Sequence, residues 1–225
     1  VTPGGAPDAF LLTGLEGTTV NGAPTATFAS VTRVRIVMGP GADRVELLSV
    51  DVAGRLLVKL GGDRDTLLVD ASTIRGRARI VGGAGPDDVV LRAGSRFGGR
   101  LVVTTGRNAD RITVNNVSIG RGVRLDSGAG RDGVLVQFSI VDPEADTLVS
   151  TGRGEDDLVL FATDFRDDVQ VFLGDDDDDM LVEDCDFDEA FRADGGEDDD
   201  EIDFDGVNVF SSDDPFQLRG FEGIF

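Results

Sequence analysis

The chain has 225 residues, 31 of them Gly, a net charge of −22, and no His, Trp or Tyr. Without His it lacks the commonest general base, the Ser-His and Cys-His nucleophile pairs, and the usual zinc and iron ligand. One cysteine, Cys185, excludes an intramolecular disulfide scaffold, and no apolar run reaches the about 18 residues of a membrane-spanning helix.

Residues 1–30 are rich in Gly, Ala, Pro and Thr and are expected to form an N-terminal cap with a first partial coil. The opening Val1-Thr2-Pro3-Gly4-Gly5 shows no signal-peptide pattern and reads as a processed or trimmed end.

From residue 31 a Gly–x–x–x–Asp spacing takes over. The pairs are Gly39/Asp43, Gly61/Asp65, Gly83/Asp87, Gly106/Asp110, Gly128/Asp132, Gly152/Asp156, Gly174/Asp178 and Gly196/Asp200. Successive Asp residues are 22, 22, 23, 22, 24, 22 and 22 residues apart. Side chains one, three and five positions before each Gly are apolar or small, as in Val34, Ile36, Leu56 and Val58. Two and four positions after each Asp come residues such as Val45 and Leu47, or Leu158 and Leu160. Alternation with period two on either side of the turn predicts two strands, each with one buried face. A third apolar column, Val52, Ile74, Phe97, Ile119, Ile140, Phe165, Phe187 and Val209, predicts a short third strand. It is entered through small residues such as Ser72, Gly94, Thr163 and Cys185, which places the Cys185 thiol inside as a small core group.

The middle of the turn follows its own rule. Two positions after the Gly stand Gly41, Asp63, Gly85, Asn108, Gly130, Gly154, Asp176 and Asp198, all residue types that tolerate positive φ. Each turn is therefore expected to contain a left-handed residue.

One coil cannot bury its own apolar face, but stacked coils build a continuous core. The predicted fold is an all-β, right-handed parallel β-helix over residues 31–205, with about eight 22-residue coils and three short strands per coil. At ~4.8 Å per coil the rod is roughly 35–40 Å long. Residues 206–225 break the repeat and read as a C-terminal cap, in which Phe216 and Leu218 open a partial ninth coil.

Gly39-Pro-Gly-Ala-Asp43-Arg-Val45, Gly83-Ala-Gly-Pro-Asp87-Asp-Val89, Gly128-Ala-Gly-Arg-Asp132-Gly-Val134 and Gly152-Arg-Gly-Glu-Asp156-Asp-Leu158 all fit GxGxDx followed by an aliphatic residue. This pattern resembles the long-period GxGxD repeats of bacterial secreted and cell-surface parallel β-helix proteins. It is more distantly similar to the calcium-binding RTX repeats. The RTX repeat is nine residues long with a turn at both ends of the coil, whereas here one turn recurs about every 22 residues. The resemblance implies an extracellular or cell-surface structural or adhesive module, with Ca²⁺ bound by a single row of turns.

The acidic turns of the last three coils are the candidate metal site. They contribute Asp156, Asp157, Asp176, Asp178, Asp198 and Asp200. Ca²⁺ takes six to eight oxygens, which stacked carboxylates and turn carbonyls offer. The competing reading has each ladder Asp accept backbone N–H bonds inside its own turn.

Charge is unevenly spread. Residues 1–140 carry a net +4 and residues 141–225 a net −26. Six positions before each turn Gly the column runs Arg33, Arg55, Arg77, Arg100, Gly122, Asp146, Asp168 and Ala190. The acidic half repels nucleic acid, so the expected partners are Ca²⁺ or other cations, a second copy associating head to tail, or an acidic polysaccharide on the Arg face. A polysaccharide-cleaving β-helix using carboxylate pairs such as Asp87-Asp88 or Asp156-Asp157 is the enzymatic alternative. These pairs are products of the repeat, however, and no position breaks it to do chemistry.

Overall fold

The computed structural model describes residues 31–142, 146–211 and 215–225 in full, and the backbone of three further strands, Thr2–Pro3, Ala9–Thr13 and Thr25–Ala29. The remainder of the expected N-terminal cap, and residues 212–214 of the expected C-terminal cap, lie outside the described residues.

Every described element is a β-strand, and the apolar alternation of the sequence becomes two facing parallel sheets. The front sheet has nine strands, from Arg33–Val37 through Arg55–Gly62, Ala78–Ala84, Leu101–Arg107 and onward to Phe216–Arg219. Its register is strict: Ala78 sits between Leu56 and Leu101, and Gly83 between Gly61 and Gly106. The back sheet begins after each Asp, as in Arg44–Leu48, Thr66–Asp70 and Asp157–Phe161. The short third strands, such as Asp51–Val52 and Asp164–Phe165, belong to this same 15-stranded sheet rather than to a separate face. In two coils the second and third segments fuse into single strands, Asp88–Phe97 and Arg111–Ile119.

The core lies between the sheets. Leu56, Val58 and Leu60 from the front meet Leu67, Val69 and Ile74 from the back, all fully enclosed. Each such side chain contributes about 1.5–3 kcal/mol by leaving water. Towards the C-terminus aromatics take over. Phe187 stacks between Phe165 and Phe210, with ring centroids 5.2 and 5.0 Å apart.

Three positions differ from the sequence expectation, all by one residue. Val141, not Ile140, follows Ile119 and precedes Phe165 in the third column; Ile140 is 39 % exposed. Phe210, not Val209, lies on Phe187. Ser95, not Gly94, enters the core, because the extra residue of that coil is absorbed as a bulge between Arg92 and Ser95. Gly94 itself is left-handed at φ 73°.

The two ends differ. At the N-terminus the three short strands pair antiparallel as a separate sheet. At the C-terminus Phe216–Arg219 and Gly223–Ile224 extend the two sheets into the expected partial ninth coil. Among the described residues no helix is long and apolar enough to cross a membrane.

Candidate functional site: a buried aspartate ladder

The eight expected left-handed positions all have positive φ, from 70° at Asp63 to 150° at Gly130. That geometry turns the chain sharply enough to aim the following Asp inward. Asp65, Asp87, Asp110, Asp132, Asp156, Asp178 and Asp200 are all at most 4 % exposed.

Their carboxylates do not cap their own turns. Each accepts the backbone N–H of the Asp one coil earlier: Asp43 donates to Oδ1 of Asp65 at 2.8 Å, Asp87 to Asp110 at 2.7 Å, Asp132 to Asp156 at 2.7 Å, and Asp178 to Asp200 at 3.0 Å. Asp65, Asp110 and Asp156 donate onward in the same way. Glu222 ends the series by accepting from Asp200 at 3.0 Å, a member that the 22-residue spacing suggests but the motif conceals. The carbonyl of each Asp takes an ordinary sheet bond from the next coil, as Thr66 N–H to Asp43 at 2.9 Å. The carboxylate thus supplies an acceptor for the amide of each ladder Asp that the turn removes from the parallel sheet bonding.

The second oxygen is different. Oδ2 of Asp43, Asp65, Asp87, Asp110, Asp132, Asp156, Asp178 and Asp200 is buried without a hydrogen-bond partner. An ionised oxygen in that position is costly. Burial accordingly pushes the carboxyls of Asp87, Asp156 and Asp178 up to about 7 and those of Asp110 and Asp200 up to about 6, against the pull of the amide each accepts. Asp65 and Asp132 shift the same way for the same reason.

The surroundings of Oδ2 vary along the rod. A Cβ at Gly82 would strike Oδ2 of Asp87 and lie 2.8 Å from the carbonyl oxygen of Thr105; one at Gly195 would strike Oδ2 of Asp200 and the carbonyl oxygen of Gly220. At both positions the space a side chain would take is bordered by a carboxylate oxygen and a main-chain carbonyl oxygen. Beside Asp110, Asp132 and Asp156 stand the hydroxyls of Thr105, Ser127 and Thr151. Those hydroxyls are already donated to the carbonyls of Ser127, Thr151 and Leu173, at 3.0, 3.1 and 2.9 Å. In the coils of Asp65 and Asp178 the residue before the turn Gly is a buried leucine, Leu60 and Leu173.

The six candidate ligands therefore occupy three settings. Asp156, Asp178 and Asp200 are ladder members and face inward. Asp176 and Asp198 are exposed and cap the amides of Gly154 and Asp176 at 3.2 and 3.3 Å. Asp157 is exposed on the outer face of the back sheet, in register with Asp179, which is in register with Glu201. With Glu155, Asp177 and Asp199 this row lines a shallow acidic groove. Among the described residues no three carboxylates converge in a metal-holding arrangement.

A second polar ladder runs up the opposite corner. Ser72 Oγ accepts from Val50 at 3.1 Å, Ser95 Oγ from Ser72 at 3.1 Å, Ser139 Oγ from Val117 at 3.2 Å, and Asn208 Oδ1 from Cys185 at 2.9 Å. Cys185 is buried, and burial pushes its thiol up to about 11, so it is inert.

Stacked parallel coils with an inward aspartate in every turn define the class: a β-solenoid repeat module. The chain matches no protein-family model, no curated protein and no solved structure at a significant level.

Proposed function

We propose that this chain is a non-enzymatic structural module, a stiff rod segment of an extracellular or cell-surface protein. The observation that supports this reading is the unbroken aspartate ladder, in which every coil uses its one buried carboxylate to hold the coil before it. A carboxylate pair that cleaves a glycosidic bond needs both groups facing the substrate. In Asp87-Asp88 and Asp156-Asp157 one side chain is buried in the ladder and its neighbour lies on the opposite face of the strand, half-buried in Asp88 and exposed in Asp157. The placement outside the cell rests on the likeness of the turns to secreted GxGxD repeats. The test is incubation of the full chain with polygalacturonate and alginate. No new reducing ends or unsaturated products are expected. Cleavage by the wild type that Asp88→Asn/Asp157→Asn abolishes would overturn the reading.

The unpartnered Oδ2 row favours one addition, Ca²⁺ at selected coils. Asp200, whose Oδ2 borders the space over Gly195 together with the carbonyl oxygen of Gly220, and Asp156, beside Thr151, have the oxygen-rich settings a calcium ion prefers; Asp178, beside Leu173, does not. Calcium competes with the proton, so Ca²⁺ in place of EDTA is expected to raise the melting temperature at pH 8 and not at pH 5. The rise should vanish in Asp156→Asn/Asp200→Asn. Equal melts in Ca²⁺ and EDTA at pH 8 would remove calcium from the account.

A further inference from the structure

The front sheet turns one face to the core and the other to solvent, and its solvent face is divided by charge. On the first four coils the outward positions carry Arg33, Arg35, Arg55, Lys59, Arg77, Arg79 and Arg100, all exposed. Their neighbours on that face are Val37, Leu57, Val81, Val102 and Thr104, and no Asp or Glu is among them. Arg33 is in direct register with Arg55, and Arg35 and Arg79 flank Leu57. The main chain places Arg77 beside the Arg55 strand and Arg100 beside Ala78, continuing the column.

Like charges opposite one another on neighbouring strands are destabilising. At several other positions this protein relieves such charges with an ion pair. On the same face further along the rod, Arg124 pairs with Asp126 at 2.9 Å and Arg192 with Asp168 at 3.5 Å. On other surfaces Arg75 pairs with Asp51 at 2.5 Å and Arg92 with Asp70 at 2.6 Å. None of the seven cations on this face has an ion-pair partner among the described residues. The protein carries a net charge of −22, yet no Asp or Glu stands among the outward positions of this patch.

We propose that this face is a binding surface for an acidic polysaccharide, an extended chain carrying carboxylate or sulfate groups and lying along the rod axis. Six of the seven cations are Arg, whose planar fork engages such oxyanions with two parallel bonds. The column repeats every ~4.8 Å, the strand spacing, so an extended polyanion meets one guanidinium after another. The outward positions of these four coils hold no aromatic side chain on which a nucleobase would stack. The acidic coils beyond Gly122 limit the footprint to the basic half and repel the much denser charge of a duplex. The surface lies outside the aspartate ladder and stands or falls independently of it.

The test uses the full chain, with heparin as the sulfated probe, polygalacturonate as the carboxylated probe, dextran as the neutral control and single-stranded DNA as the competing polyanion. Binding is measured by calorimetry at low and at moderate salt. Heparin, polygalacturonate or both bind, dextran does not, and affinity falls with salt. Arg55→Gln/Arg77→Gln/Arg100→Gln weakens binding at least tenfold. Arg131→Gln/Arg153→Gln/Arg166→Gln, which removes three charges from other surfaces, changes it less than twofold. The far-ultraviolet spectrum and melting temperature of both variants verify the fold, and Arg33→Gln/Arg35→Gln repeats the test at the rod's end. Four outcomes overturn the proposal: no polysaccharide binding at low salt, equal weakening by both triple variants, tighter binding of DNA, or a wild-type oligomer that the Arg55/Arg77/Arg100 variant dissolves, which would make the occupant a second copy.

Discussion

The amide of Asp132 meets Oδ1 of Asp156 in the next coil at 2.7 Å, while Oδ2 of the same carboxylate is buried without a partner. The two oxygens do different work, and substitution separates them. Asp156→Asn keeps the acceptor and abolishes the charge. Asp156→Ala removes both and leaves a buried amide unsatisfied, a cost of about 1–3 kcal/mol. For a domain of this size each kcal/mol moves the melting temperature by roughly 2–4 °C. The Ala variant is expected to melt several degrees below wild type at pH 7, with the Asn variant at or above wild type. An Asn variant that melts as low as the Ala variant would show that the negative charge, not the acceptor, holds the coils.

The pH dependence follows from the same row. In the unfolded chain these carboxyls lose their protons near the ordinary aspartate value of 3.8; in the fold Asp87, Asp156 and Asp178 hold them to about 7. Between those limits the folded state binds more protons, so stability falls as pH rises. It is greatest near the lower limit and levels off above about pH 8. Asp51 opposes this, because Arg75 holds it below the usual carboxylate range, but it titrates only below the window. Thermal melts at pH 5, 6, 7 and 8, kept above the isoelectric point of about 4.1, are expected to decline in that order. A melting temperature that is level or rises from pH 5 to 8 would refute the protonated ladder.

What the sequence revealed depended on whether a geometry demands an unusual residue. The turn column of Gly41, Asp63, Asn108 and Asp176 is legible because few residue types accept positive φ. The second corner is equally left-handed in every coil, at Ser49, Ala71, Ala93, Asn116, Phe138, Ala162, Asp184 and Gly206, yet Ala and Phe carry no such signature and the corner went unseen. Ile140 and Val209 were misplaced because apolar residues adjoin there, Ile140 beside Val141 and Val209 beside Phe210, so hydrophobicity alone does not fix the frame. For the site, the Asp row was legible as a column. That it bonds across coils was not, since a single coil gives no view of the neighbour that supplies the donor.

Glycine in the turn answers to packing as well as to φ. Gly106 has φ 124°, and a Cβ there would run into the carbonyl oxygen of Gly83. Gly133, in the back sheet, has no atom within 4 Å of its would-be Cβ. Gly106→Ala is expected to destabilise by about 3 kcal/mol or more, since strain and a main-chain clash add. Gly133→Ala should be neutral or stabilising by about 0.5–1 kcal/mol. Urea melts of the two variants decide it, and equal midpoints would contradict the close stacking of the turns.

The aromatic column of the last coils predicts where the rod opens first. Phe187 is stacked on Phe165 and Phe210 at interplanar angles of 6° and 2°, and its edge meets Phe191 with centroids 4.7 Å apart. Phe187→Ala is expected to cost about 3–5 kcal/mol, the range for a buried Phe. In a solenoid each coil touches only its neighbours, so that loss stays near its origin instead of spreading evenly. The last coils are also the most acidic, with Asp175 through Asp179 followed by Glu197 through Glu201, and their mutual repulsion works in the same direction. Hydrogen exchange of Phe187→Ala should therefore show protection lost from Phe165 to the C-terminus and retained in the strands Arg55–Gly62 and Thr66–Asp70. Uniform loss across all coils would mean that the rod unfolds as one cooperative unit, held more tightly from end to end than nearest-neighbour stacking provides.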